Sequence, residues 1–292
     1  MRLTAFFFCV ALILPLAGQA QIRAQDGLEA LETGDVEGAR ALWEVLGARG
    51  DVLAQHNLGV LALQEQDEVS ARRWFLAAAR QGHAPAQRAY ADLAAERGFW
   101  AMARIWYLAA AEQKDALAAF ALAKLLDRGL GGAPEPEAAL GRYRQAADAG
   151  VIGAQFALGA ALAEGGDATG AADWFERAAE AGHVTALHNL AVAYAQGQGR
   201  GQDMAQARRL YLQAARAGHG PAMRNLALMQ ARGQGGAQRY RTALAWALAA
   251  QDAGDAQADT VIAALRDVMA PEAIAHAEAM VASCLQATAP CD

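Results

Sequence analysis

The sequence predicts an all-α protein, an α/α solenoid of stacked helix pairs, and three observations carry that prediction. Alanine is by a wide margin the commonest of the 292 residues, with 55% apolar and 19% charged residues overall. Such a composition favours closely packed helices and excludes wholesale disorder. A segment ending in Gly-His recurs: Trp74-Phe75-Leu76-Ala77-Ala78-Ala79-Arg80-Gln81-Gly82-His83 returns as Trp174-Phe175 to Gly182-His183 and as Leu210-Tyr211 to Gly218-His219. Weaker copies end at Gly50, Lys114, Gly150 and Gly254, so the anchors fall 32 or 36 residues apart, the mark of a repeat array. After each anchor a small residue stands four positions before Leu or Tyr: Ala54/Leu58, Ala86/Tyr90, Ala118/Leu122, Ala154/Leu158, Ala186/Leu190 and Ala222/Leu226. That spacing puts both on one buried stripe of a helix.

Taken in chain order, the first element is a leader. Met1-Arg2 is followed by the apolar run Leu3 to Leu16 and by Ala17-Gly18-Gln19-Ala20, which places small residues before a cut after Ala20. This is the layout of a secretory signal peptide over residues 1–20. The rival reading, a membrane anchor, needs ~20 apolar residues, and this run is shorter and contains Pro15. Cys9 lacks the small residues that a lipoprotein signal places before its cysteine. Cleavage removes only Arg2 among charged residues and takes the net charge from −6 to −7; with the apolar run gone, no stable membrane insertion is expected.

Residues 21–292 read as one solenoid. Residues 26–50 form an N-terminal cap unit with the turn Thr33-Gly34-Asp35, 51–254 six repeats, and 255–292 capping helices over Asp255–Met269 and Pro271–Ala287, the second opening on proline as helices often do. Within each repeat the residue after the buried Leu or Tyr is Gly or Ala (Gly59, Ala91, Ala123, Gly159, Ala191, Ala227), small enough for close helix approach. A turn follows and absorbs the four-residue length differences. The second helix carries an aromatic or bulky pair and a run of alanines, and its closing Gly suits a C′ position of positive φ. Lys114 breaks that pattern, which predicts a looser turn there. No unit can bury its stripe alone, so neighbours must stack and the ends need polar caps.

The pattern resembles the Sel1-like repeat family, a relative of the tetratricopeptide repeats, on Ala186, Leu190, Ala191, Tyr194, Gly197, Gly199, Asp203, Ala207, Tyr211, Ala214, Ala215 and Gly218. The likeness runs from Asp26 to Gly254. It implies a right-handed superhelix whose concave face holds partners, and no enzymatic activity. Units ending at Gly82, Lys114 and Gly182 have the short turn and lack the family's Gly-x-Gly loop, so they look nearer to tetratricopeptide repeats. Some secreted members carry a cysteine pair in every repeat; this chain does not.

Residues that suggest sharper chemistry have plainer explanations. Gly129-Leu130-Gly131-Gly132 and Gly197-Gln198-Gly199-Arg200-Gly201 follow helices rather than strands, which makes them turns and not phosphate cradles. His83, His183 and His219 recur one per repeat and so cannot converge on a metal. Asn57, Asn189 and Asn225 flank the buried Leu, where an amide can bond backbone in the adjoining unit or clamp a peptide terminus. No Gly-x-Ser-x-Gly, Ser-x-x-Lys or His-Glu-x-x-His occurs, and Ser70 and Ser283 are the only serines. Ser70 holds a variable register position, and the doublets Arg72-Arg73 and Arg208-Arg209 read as solvated outer faces. The acidic balance, 25 basic against 31 acidic residues, argues against nucleic acid. No catalytic residue, metal or cofactor is assigned. Cys284 and Cys291 read as a disulfide closing a terminal loop, or else as two free thiols in a frayed tail.

One column is assigned to partner binding. Two residues before the buried Leu a helix has turned 200° from the core stripe. That column reads His56, Arg88, Phe120, Phe156, His188 and Arg224, with Asp92 and Lys124 four positions beyond Arg88 and Phe120. By resemblance it lines the concave groove, and exposed phenylalanines flanked by cations suit an acidic or apolar peptide; the alternative is that both rings pack on the neighbouring unit. The expected function is a periplasmic or secreted protein–protein interaction scaffold or regulator in the bacterial envelope. Its partner would be a protein of an envelope sensor, of export or of cell-wall machinery. Binding or hydrolysis of cell-wall glycan or a β-lactam is the alternative from another class, and a structural spacer a third.

Overall fold

A computed structural model describes residues 23–285; the leader over 1–20 and Cys291 lie outside them. Among the described residues every regular element is a helix: α1 (Ala24–Glu32), α2 (Val36–Ala48), α3 (Val52–Gln64), α4 (Glu68–Arg80), α5 (Ala84–Glu96), α6 (Trp100–Glu112), α7 (Ala116–Arg128), α8 (Pro136–Asp148), α9 (Ile152–Glu164), α10 (Ala168–Glu180), α11 (Val184–Gln196), α12 (Met204–Arg216), α13 (Gly220–Arg232), α14 (Tyr240–Asp252), α15 (Ala258–Val268) and α16 (Pro271–Leu285). The chain divides inside α5, after Tyr90, into two compact units. No described helix is long and apolar enough to cross a membrane.

In the first unit, α1 and α2 pair around Trp43, whose indole N–H donates to the Ala24 carbonyl at 2.8 Å. Gly27 lies so close to that ring that a Cβ there would stand 2.3 Å from Nε1. Ala39, Ala54, Leu58 and Leu61 complete the core. Asp35, Asp51 and Asp67 cap α2, α3 and α4, each accepting from the backbone N–H three residues on, which satisfies donors that the first turn of a helix leaves orphaned. Gln55 and Gln87 each reach back from a first helix to the end of the preceding second helix, donating to the carbonyls of Gly47 at 3.0 Å and Ala79 at 3.2 Å. Arg40 pairs with Glu65 in the turn of the following pair.

The second unit repeats the plan. Leu122, Leu158, Leu190 and Leu226 are buried on the predicted stripe, and Tyr107, Tyr143, Phe175, Tyr211 and Trp246 fill the space beside them. Two tyrosines turn their hydroxyls to the first helix of their own pair, Tyr107 donating to Asp92 at 2.6 Å and Tyr143 to Asp127 at 3.5 Å. Tyr211 instead bonds Asn225 on α13, the first helix of the next pair. The last described helices are α15 and α16. Leu244, Ala245, Trp246 and Ala247 of α14 are fully enclosed, as are Ala277 and Cys284 of α16.

Turn length sets how neighbouring repeats touch. In the long turns the first glycine (Gly129, Gly197, Gly233) takes the left-handed conformation as the helix cap. The second glycine is pressed onto the preceding second helix. A Cβ on Gly131 would stand 2.5 Å from the Ala101 nitrogen, on Gly199 1.9 Å from the Ala168 oxygen, and on Gly235 2.2 Å from the Met204 oxygen. The Gly-x-Gly spacing is therefore a close approach of two backbones, and it needs no bound phosphate. Polar side chains pin the same joint: Arg104 reaches Glu135, Arg208 donates to the Ala237 carbonyl at 3.2 Å, and Arg200 bridges Asp173 and Glu176. Arg208 thus belongs to a joint and not to a freely solvated face.

Lys114 corrects an expectation. Its φ is +68°, and its N–H and that of Asp115 bond back to Ala111 at 3.0 Å and Ala110 at 3.2 Å. Gly82 and His83 bond to Ala79 and Ala78 in the same way. The turn is as tight as the others: these backbone hydrogen bonds close it with an exposed lysine in a conformation that usually favours glycine.

Candidate functional site

The assigned column lies on the first helices, one residue per repeat, and most of its members are half-buried. A residue two positions before the buried Leu points along the stack, toward the first turn of the next first helix. His56 therefore meets His83 with ring centroids 4.9 Å apart, and it also touches the Phe75 ring at 5.6 Å. Arg88, half-buried in the same unit, adds its positive charge to His56.

In the second unit Phe156 stacks on His183 at 4.4 Å and tilts against Phe175 at 5.9 Å. His188 meets His219 at 4.8 Å and Tyr211 at 5.5 Å. Arg224 pairs with Asp255 at 2.9 Å. Phe120 packs on Tyr143 at 6.0 Å and lies close over Gly153, and the exposed Lys124 ammonium sits 4.8 Å above its ring. Asp92 accepts from the Tyr107 hydroxyl. Phe120 and Phe156 are thus half-buried against the next helix pair and not open rings. Within the column the structure brings together Phe120 with Lys124, His56 with Arg88 and His188 with Arg224. The other assigned residues meet partners outside it.

Electrostatics follow from this packing. Burial, then the neighbouring histidine and arginine, lower the pKa of His56 to about 4. Burial, His219 and Arg224 lower His188 to about 4, against a small opposing pull from Asp255. Burial also lowers His83, His183 and His219. These rings stay neutral at pH 7, a state that suits Nδ1 of His183 and His219. Each accepts the backbone N–H three residues on, at 3.2 Å, and so caps α11 and α13. Asp51 and Asp115 cap α3 and α7 from the same register. At His183 and His219 the recurrent histidine is a helix cap.

Other candidates find local roles. The Ser70 N–H and hydroxyl both bond the Asp67 carboxylate, which holds that group below its usual range. Asn225 bonds Arg224 and Tyr211, side chains rather than backbone. Among the described residues no group of three or more His, Cys, Asp or Glu is placed to hold a metal. Cys284 is fully buried; its predicted partner Cys291 is outside the described residues.

Sequence reasoning missed a cleft of about 510 Å³ between α9, α10 and α11, with Glu164, Asn189 and Gln198 among its walls. Alanines open it: Ala168 and Ala172 stand where other repeats have Trp100 or Met204 and Arg104 or Arg208. Comparing residues down each register was the signal that could have found it.

Stacked helix pairs, capped first turns and glycine-seated loops together define an α/α repeat protein of the tetratricopeptide-related class. The Sel1 repeat matches residues 52–83, 101–115, 116–151, 152–183, 184–219 and 220–255, and the chain belongs to the Sel1 repeat family. The crystal structure of c5321, a protective antigen present in uropathogenic Escherichia coli strains and displaying an SLR fold, is similar at 26% identity and TM-score 0.76 over 91% of this chain and 61% of that one. The present chain thus spans about three fifths of that relative. A Sel1 repeat protein from Oxalobacter formigenes is similar at 26% identity and TM-score 0.61, over 83% of this chain and 75% of that one. No functionally curated protein matches. Sel1 repeat folds are generally protein–protein interaction scaffolds and generally non-catalytic.

Proposed function

We propose that this chain is an exported, non-enzymatic scaffold or regulator of the bacterial envelope that holds a segment of a partner protein along its first helices. The observation that carries the reading is the patch on α7 and α9, where half-buried Phe120 and Phe156 share a column and Lys124 rises over Phe120. Anchored aromatic rings with a cation at the rim suit an apolar segment with acidic residues. The leader and the late cysteine pair support export, with a Cys284–Cys291 disulfide closing the C-terminal loop. Similarity to a protein described as a protective antigen points the same way.

The test is in vivo crosslinking of the exported protein in its native envelope, followed by mass spectrometry of what it captures. Lys124 is exposed, so Lys124→Glu should release the captured protein without moving the melting temperature. Retention of the same partner by Lys124→Glu, or recovery on cell-wall sacculi with no protein partner, overturns the reading.

A further inference from the structure

The acidic balance of the chain conceals a cationic block. Between Asp203 and Asp252 the sequence carries seven arginines and no Asp or Glu, although the whole chain is −6. The fold gathers four of them, Arg208, Arg209, Arg239 and Arg241, around two adjoining cavities that share Arg239. One, about 660 Å³, lies between the start of α14 and the α15–α16 corner; the other, about 290 Å³, lies between α12 and the long turn before α14. Neither has an Asp or Glu in its walls, whereas Glu164 lines the cleft between α9, α10 and α11. Arg239 occupies the position at which Asp67, Asp167 and Asp203 stand in other second helices. The register has exchanged a carboxylate for a guanidinium.

The larger cavity is amphipathic. Arg239 and Arg241 give it a basic rim, His276 lines it beside them, and Val268, Met269 and Met280 give it apolar walls. Tyr240, 41% exposed, stands at its edge with its hydroxyl accepting from Gln238 at 2.8 Å. No described carboxylate forms an ion pair with Arg209 or Arg241. Arg209 bonds Gln206, and Arg208 is spent on the Ala237 carbonyl.

We propose that these cavities dock an acidic, apolar-flanked segment of a partner protein, its carboxylates on Arg209 and Arg241 and an apolar side chain on Met269 and Met280. Charge complementarity selects the anion, since guanidinium forks match carboxylates in a bidentate way. The flexible methionine walls favour a peptide side chain over a sugar ring. The inference rests on the scaffold reading but places the partner's acidic part on the turn edge of the last repeat, away from the Phe120–Lys124 patch.

The experiment is fluorescence anisotropy with the purified mature chain and a short labelled peptide in which Glu alternates with Leu. A Lys–Leu peptide and an oligo-uronate serve as comparators. Arg241→Glu should weaken the acidic peptide about tenfold, the order expected for one charged hydrogen-bonded pair. Arg144→Glu on α8, exposed and of identical charge change, should weaken it less than about twofold by long-range screened charge alone. Equal loss in both variants, or tighter binding of the oligo-uronate than of the peptide, overturns the proposal. Introducing Arg241→Glu into the crosslinking experiment separates the two readings. A captured partner unaffected by it leaves the scaffold standing and removes this site; acidic-peptide binding in vitro with no partner in the envelope does the reverse.

Discussion

Gly199→Ala tests the principle by which the long turns seat on the preceding repeat. Two costs act at this position. Its φ of +68° places any side chain in the left-handed region, at about 1–2 kcal/mol. A Cβ would also stand 1.9 Å from the Ala168 oxygen, 2.4 Å from its carbonyl carbon and 2.8 Å from the Thr169 nitrogen. These are backbone atoms at the start of α10, with no flexible side chain to swing away, so the loop must withdraw, at the ~1–3 kcal/mol typical of overpacking. The sum is roughly 2–5 kcal/mol, or a fall in Tm on the order of 10 °C for a chain of this size.

Two controls separate the terms. Gly182 has φ +87°, and a Cβ on it would meet nothing within 4 Å, so Gly182→Ala should cost only the conformational ~1 kcal/mol. Gly201 has neither feature, and Gly201→Ala should be neutral within ~0.5 kcal/mol. The assay is urea unfolding of the three variants followed by circular dichroism. Gly199→Ala within about 1 kcal/mol of Gly182→Ala would refute the seating argument.

Lys114→Gly should raise stability by about 0.5–1 kcal/mol in the same assay, because glycine takes the +68° conformation without steric cost. Acid should weaken the fold through His56 and His188, both held neutral with pKa about 4. Above pH 6.5 folded and unfolded rings are alike neutral, whereas between pH 6.5 and 4 the unfolded chain gains protons that the folded chain refuses. Stability therefore falls across that window, by on the order of 2 kcal/mol per histidine once the partial exposure of each ring is allowed for. His188→Phe, which copies the Phe156–His183 stack one repeat earlier, should flatten part of the slope in urea titrations from pH 7 to 4. Phe156→Ala should cost about 1–3 kcal/mol, less than a fully enclosed ring, since it is half-buried yet stacked on His183; thermal melts of the variant measure it.

Much of this protein is legible in the sequence because its regularities are local to the chain. The i, i+4 pairs such as Ala186/Leu190 predict the buried stripe, since a helix repeats every 3.6 residues whatever surrounds it. The closing glycines predict the turns, since positive φ is a property of one residue. His183 is legible as a structural position, but its role as a cap accepting from Ala186 depends on where the next helix begins. Phe120 and Phe156 show where local reasoning stops. Periodicity places them 200° from the core stripe of their own helix, yet that direction meets the first turn of the following pair, so each ring is half-covered by residues distant in the chain, Tyr143 and Gly153 for Phe120, Phe175 and His183 for Phe156.

The cleft at Ala168 and Ala172 and the cluster of Arg209, Arg239 and Arg241 are set in the same way, by which repeats adjoin and how long their turns are. By itself, then, the sequence determined the helices, their buried faces and the family. Only the tertiary structure decided which exposed positions stay open, because that is settled between repeats, where a neighbour's turn length and side-chain volume either fill the space or leave it.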